Sequence, residues 1–109
     1  MNTSLKTTYM TTETVKKTEI LDGKCPERAP NIAEYEVEDE TVLYDPRSDA
    51  AHVLNPTAAV VWWLCDGDHK VKDIARELGD LYDKEPDAVR SDVEEIIEGF
   101  LSSRLIRWK

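Results

Sequence analysis

From Ile32 the chain alternates between apolar and polar positions. In IAEYEVED, Ala33, Tyr35 and Val37 interleave with Glu34, Glu36 and Glu38, the period of a strand with one dry face and one carboxylate-rich face. After a polar junction at Asp39-Glu40, the segment TVLYD (residues 41–45) reads as a second strand of β-favouring types. Pro46 to Asp49 has turn composition and leads into AAHVL, residues 50–54, a short third strand. Three consecutive strands with tight links predict an antiparallel meander.

The period then changes to that of helices. Asn55-Pro56 is a helix start, with Asn to cap free N–H groups and Pro where the missing N–H costs nothing. This helix runs to about Cys65 and stops at Asp66-Gly67. A second covers about Val71 to Tyr82, with Val71, Ile74, Ala75, Leu78, Leu81 and Tyr82 on one stripe. Pro86 opens a third, to about Ser103, whose stripe is Val89, Val93, Ile96, Ile97, Phe100 and Leu101. LIRWK closes the chain as a short extended piece. The predicted order is βββααα, an α+β class in which a three-stranded antiparallel sheet is followed by three helices, similar to a winged helix-turn-helix.

A chain of 109 residues holds one domain. Residues 1–24, rich in Thr and Lys and without period, read as a flexible N-terminal segment, and residues 25–109 as the domain. CPERAP turns the chain from one into the other. The net charge of -9 creates a field that repels phosphate backbones and anionic lipid and favours neutral or cationic partners. No apolar run approaches the ~20 residues of a membrane span. Two cysteines forty positions apart build no disulfide framework, and neither has a second Cys or a His at metal-ligand spacing. With no signal peptide in view, the reading is a reducing cytoplasm.

Against that acidity, the ten residues Pro56 to Cys65 carry no charge and include the pair Trp62-Trp63. At 100° per residue Ala58, Val61, Trp62 and Cys65 share one face, and Ala59, Val60 and Trp63 fall largely on the other. A helix apolar all round is either wholly buried or covered by a partner on one side. The expectation is Trp62 in the core, with Trp63 and Val60 near the surface as part of a protein–protein contact.

Candidate chemistry is sparse. His52 and His69 lie on different elements, without a Cys or an activatable Ser beside them; both read as solvated, His69 in a loop. No phosphate-cradling loop is present, and Asp66-Gly67-Asp68 lacks the later ligands of a calcium loop. No catalytic residue, metal site or cofactor is expected, and the chain is not read as an enzyme. A DNA-binding role fits the architecture but not the third helix. Arg90 there faces six carboxylates, from Glu85, Asp87, Asp92, Glu94, Glu95 and Glu98, and a duplex would be repelled.

The segments LNPTAAVVWWLCDG, VKDIARELGDLYD and EPDAVRSDVEEIIEGFLSSRLI resemble the PqqD family, small peptide chaperones of pyrroloquinoline quinone biosynthesis. Their fold is shared by the recognition elements of ribosomal peptide modification systems. The carrying features are Leu54-Asn55, Ala58, Val61-Trp62, Leu64-Cys65-Asp66-Gly67, Ile74, Leu78, Tyr82, Asp92-Val93 and Leu105-Ile106, in that order over about residues 30–107. Trp63 departs from the pattern, since that site is more usually polar.

The resemblance implies a non-catalytic module that binds the leader segment of a ribosomally made precursor peptide by strand addition. It would present the precursor to a modifying enzyme, expected to be a radical-SAM enzyme. By that resemblance the leader pairs along Ala51, His52, Val53 and Leu54 and lies against Val89, Arg90, Val93, Glu94 and Ile97 of the third helix. The rival functions are a winged-helix transcription regulator and a dimerisation domain without peptide ligand. A homodimer stays open, because short edge strands can be exchanged between copies.

Overall fold

The computed structural model describes residues 21–109. Along the chain these form β1 (Pro26–Arg28), β2 (Ala33–Val37), β3 (Glu40–Asp45), β4 (Ala50–Leu54), α1 (Pro56–Leu64), α2 (Val71–Tyr82), α3 (Pro86–Ser102) and β5 (Ile106–Trp108). The expected meander is present: β3 lies between β2 and β4, antiparallel to both. The three helices follow at the expected positions.

Local chemistry sets the boundaries. Asn55 is extended at the start of α1, and its side-chain oxygen accepts from the Ala58 N–H at 2.8 Å while Pro56 takes the first helical position. At the other end Arg28 donates to the carbonyls of Trp62 (3.1 Å) and Trp63 (2.9 Å), satisfying acceptors that the last turn leaves free. In α2 the Asp73 carboxylate reaches back to the Lys70 N–H at 3.0 Å. Gly79 is required by packing, because a Cβ there would come within 2.6 Å of the Lys84 carbonyl oxygen where the chain turns into α3.

The core is a single layer between the sheet and the helices. Leu43 and Leu54 from the sheet meet Val61 and Trp62 of α1, Ile74 and Leu78 of α2, and Val93, Ile97 and Phe100 of α3. Trp62 and Phe100 pack edge to face, with ring centroids 5.8 Å apart and planes at 78°. The expected faces of α1 need one exchange, since Ala59 is buried and Ala58 only half-buried.

Two features differ from the expectation. CPERAP is more than a boundary, because its residues Pro26–Arg28 pair antiparallel with Ile106–Trp108 in a second, two-stranded sheet. Contacts to the helices also reach residues before 25. The Lys24 carbonyl accepts from the Val71 N–H at 3.0 Å, and Asp22 meets Arg90 at 3.0 Å. Residues 1–20 of the expected flexible segment lie outside the described residues.

The larger difference is the orientation of β2. The register aligns Glu34 with Leu43 and His52, and Glu36 with Thr41 and Leu54. Directly opposed residues share a face. Leu43, Thr41 and Leu54 are buried, so Glu34 and Glu36 belong to the inward face. Tyr35, aligned with Val42 and Val53, points outward, as does Val37. The expected dry face of β2 is therefore the outward one, and from Glu34 to Val37 the strand is exposed on both sides. The reason is tertiary: β3 supplies the buried leucine, and pairing with β3 decides which side of β2 faces the helices.

Candidate functional site

β4 has only β3 beside it among the described residues, so its outer edge of main-chain N–H and C=O groups is open. One flank of α3 borders three concavities, two of them reaching the residues just after and just before β4. Where β4 enters α1, Asn55 and Thr57 face Asp92, Glu95 and Ile96 across a cavity of about 400 Å³. At the opposite end of β4, Asp45, Arg47 and Ser48 face Ser103 and Arg104 across about 180 Å³. Beyond the first end, Thr57 and Asp92 also border a hollow of about 260 Å³ formed with Leu78, Tyr82, Lys84 and Val89. Positions 92, 95, 96, 99 and 103 recur at helical spacing, so these sites belong to one groove wall. Gly99 lies at its middle, where a Cβ would meet nothing within 4 Å.

The expected peptide-contacting residues divide among three environments. On β4, Ala51 and Val53 are exposed on the outward face, while His52 is half-buried and Leu54 buried on the inward face. On α3, Val89, Val93 and Ile97 are core residues. Arg90 and Glu94 occupy the flank of α3 opposite Asp92 and Ile96, where Arg90 pairs with Asp22 and lies 3.8 Å from Asp87. The residues of α3 that border the concavities are Asp92, Glu95, Ile96 and Ser103, together with the expected Val89. The helical period yields two flanks beside the core stripe, and only the position of the sheet distinguishes them.

One end of the groove is held by a buried carboxylate. Asp45 takes Nε and Nη2 of Arg47 at 2.9 Å each, and the same Nη2 donates to the Arg104 carbonyl at 2.7 Å. The Arg47 hydrogen bonds hold the Asp45 carboxyl below the usual carboxylate range despite its burial. This bidentate clamp ties the β3–β4 turn to the end of α3 and so fixes the width of the groove there.

The tryptophans are tied to β2. Trp62 is 2% exposed and Trp63 45% exposed, as their helical positions predict. Glu34 receives both indole N–H groups, from Trp62 at 3.0 Å and from Trp63 at 2.8 Å. This explains how a strand can turn a glutamate inward: the carboxylate is satisfied by two donors. Val60 is half-buried beside this helix face.

Two further groups, Cys65 and the His69–Asp66 pair, have shifted titration. Burial pushes the Cys65 thiol up to about 12, which removes it as a nucleophile at neutral pH. His69 is part of a bridge, with Nδ1 2.9 Å from Asp66 and Nε2 2.7 Å from Glu77, where a solvated loop residue was expected. The Asp66 hydrogen bond raises its pKa. Burial works to raise that of Asp66, but hydrogen bonds from His69 and from the Asp68 and His69 N–H groups outweigh it and hold Asp66 at about 2. Among the described residues no three His, Cys, Asp or Glu side chains gather to hold a metal ion, and no helix is long and apolar enough to cross a membrane.

Comparison with known proteins places this geometry in a family. The family model for coenzyme PQQ synthesis protein D (PqqD) matches residues 40–106, more than half of the chain, and the chain belongs to that family. Among solved structures it is similar to the PqqD truncation of PqqCD from Methylobacterium extorquens, described as a functional, stand-alone recognition element for ribosomally synthesized and post-translationally modified peptides. The identity there is 26% and the TM-score 0.64, over 75% of this chain and 87% of that one. The fold is also that of lasso peptide synthetase B1 complexed with the leader peptide (23% identity, TM-score 0.67, 76% and 98% covered). It is equally that of TbiB1 in complex with the TbiA(beta) leader peptide (15%, 0.66, 74% and 94%). A search of curated proteins found no match.

Proposed function

We propose that this member of the PqqD family binds the leader segment of a ribosomally made precursor peptide and presents it to a modifying enzyme. The observation that carries the reading is the open edge of β4 facing a groove along α3. An extended peptide pairs with the main chain of Ala51, His52, Val53 and Leu54, and its alternate side chains enter the groove. Asn55 and Thr57 border the groove where β4 ends; Asp92, Glu95 and Ile96 line the helix side, with Val89 at the hollow beyond. Val93 and Ile97 support the wall from the core, and Arg90, with Glu94 on the same flank, ties the far side of α3 to Asp22. Two carboxylates on the wall favour a leader with Lys or Arg near its Asn55 end. The same carboxylates oppose nucleic acid.

The module needs no chemistry of its own. By holding the leader it raises the local concentration of the core peptide at the enzyme, for which a radical-SAM enzyme is the candidate. Trp63 and Val60 form a contact for that enzyme, because the half-exposed indole is pinned by Glu34 and loses little freedom on binding. The module works in the cytoplasm, where the precursor is made.

The test is a titration of the leader peptide from the neighbouring precursor gene, read by backbone amide shifts. Saturable shifts at residues 50–54 and along 92–103, with micromolar or tighter affinity, are expected. Unmoved amides with a folded protein and several leaders tried would leave a dimerisation domain in place of a peptide binder.

A further inference from the structure

The outward face of the sheet has the wrong polarity for a surface left to water. Tyr35 is 56% exposed, Val37 51% and Val53 60%, and Tyr35 and Val53 flank Val42 across the three strands. Cross-strand contact between such side chains stabilises a sheet, but it does not need them this bare. The ends of the face are acidic. Glu38, Asp39 and Glu40 turn the chain from β2 to β3, and Asp49 closes the turn into β4. The one Lys or Arg between residues 33 and 54, Arg47, is already bound by Asp45.

An apolar centre with an anionic rim selects its partner. A second copy would bring the same carboxylates against themselves on a chain of net charge -9. Nucleic acid and anionic lipid are repelled for the same reason. What fits is a protein surface with an apolar patch ringed by Lys and Arg.

The geometry points to this outer sheet face as the docking surface for the modifying enzyme, and to a bound leader as part of that surface. The inference rests on the leader-binding reading above. A strand added beside β4 continues the sheet about 4.8 Å further out, and its side chains alternate between the two faces. Those that turn inward enter the groove. Those that turn outward stand level with Ala51 and Val53 and extend the apolar face. The enzyme then buries protein and leader together, so leader raises its affinity for the module, and by linkage the enzyme raises the affinity for leader. The Trp63 contact lies across the β2 edge from this face. Its indole is bonded to Glu34, the sequence neighbour of Tyr35, so an enzyme wrapping the β2 edge touches both. β2 and β4 are opposite edges of the sheet, so docking at β2 leaves the β4 edge open.

The test uses the full chain, the leader of the neighbouring precursor and the modifying enzyme encoded beside it. Enzyme affinity is measured with and without saturating leader, for the native protein and for Tyr35→Asp with Val37→Asp. These residues lie on the strand farthest from the leader edge. The native protein is expected to bind the enzyme at least tenfold more tightly with leader present, and more weakly as salt rises. The double variant should bind leader within twofold of native and enzyme at least tenfold more weakly. Undiminished enzyme binding by a folded variant overturns the inference, as does an enzyme affinity indifferent to leader. So does self-association of the native protein that the variant abolishes, or new exposure of Tyr35 and Val53 when residues 1–20 are removed. Failure of the leader alone to bind would sink the leader-binding reading instead, and the enzyme titration without leader would still report on the face.

Discussion

The helices and the three-stranded sheet obey opposite rules. In α2 and α3 most of the apolar stripe read from the period is buried: Val71, Ile74, Ala75 and Leu78, then Val89, Val93, Ile97 and Phe100, while Leu81 and Tyr82 at the end of α2 are exposed. In β2 Tyr35 and Val37 point outward, and Glu34 and Glu36 take the helix-facing side while staying exposed. The difference lies in what each element needs from its neighbours. A helix satisfies its own backbone, so its hydrophobic face alone decides how it lies. A strand takes its hydrogen bonds from another strand, and the partner's register decides its orientation. β3 commits Leu43 to the core, and β2 follows β3 even against its own pattern. Glu34 makes that tolerable by accepting from two indoles.

The largest expected effect breaks the shared core. Trp62→Ala removes the ring that joins α1, Phe100 and Glu34 and should cost about 3–5 kcal/mol by chemical denaturation. Loss of less than half of that would mean that sheet and helices are less tightly joined than the packing indicates. In the helical half, Gly79→Ala forces a Cβ against the Lys84 carbonyl and is expected to cost about 1–3 kcal/mol. An alanine that stabilises, as it does at unconstrained helix positions, would show that the α2–α3 turn gives way easily.

Glu34→Ala tests whether the inverted strand depends on its carboxylate. It strands the half-buried Trp62 N–H and frees Trp63, with an expected cost of about 1–3 kcal/mol and a red shift of tryptophan emission. Glu34→Gln, which keeps one acceptor, should cost less. Equal losses for both would assign the effect to side-chain packing.

A smaller effect comes from pH. The share of His69 in stability is complete below its ordinary value of 6.5 and is lost as pH rises through its raised value. That of Asp66 is present above its ordinary 3.8 and lost as pH falls towards about 2. The bridge is therefore strongest between those two ordinary values. The thermal midpoint should fall on going from pH 6 to pH 8.5, and His69→Gln should flatten that fall. An unchanged slope would place the titration elsewhere. Smallest of all, Val37→Thr on the outer sheet face should alter stability by no more than about 0.5 kcal/mol. A larger loss would mean that the face is held by its own cross-strand contacts.

Much of the fold is legible in single residues: Asn55-Pro56 starts α1, Pro86 opens α3, and alternation and turn composition mark the meander. The β1–β5 pair is not, because two three-residue strands have no period to detect and each is defined by the other across eighty residues. The site is half legible. β4 is visible as a third strand, and its exposed edge follows from being last in a meander. The groove wall is invisible, because α3 has two flanks beside its core stripe, with Arg90 and Glu94 on one and Asp92 and Ile96 on the other. Both have the same periodicity and similar polarity.

By itself the sequence determined what local physics can determine: the positions of the helices and meander strands, the core stripe of α3, the division of labour between Trp62 and Trp63, and an acidic field that selects partners. Tertiary structure alone decided which side of β2 faces the helices, which flank of α3 borders the concavities, and that β1 and β5 join. Each of those is a choice between alternatives of nearly equal local energy. It is settled only when a distant segment supplies the hydrogen bonds or the buried surface that makes one of them better.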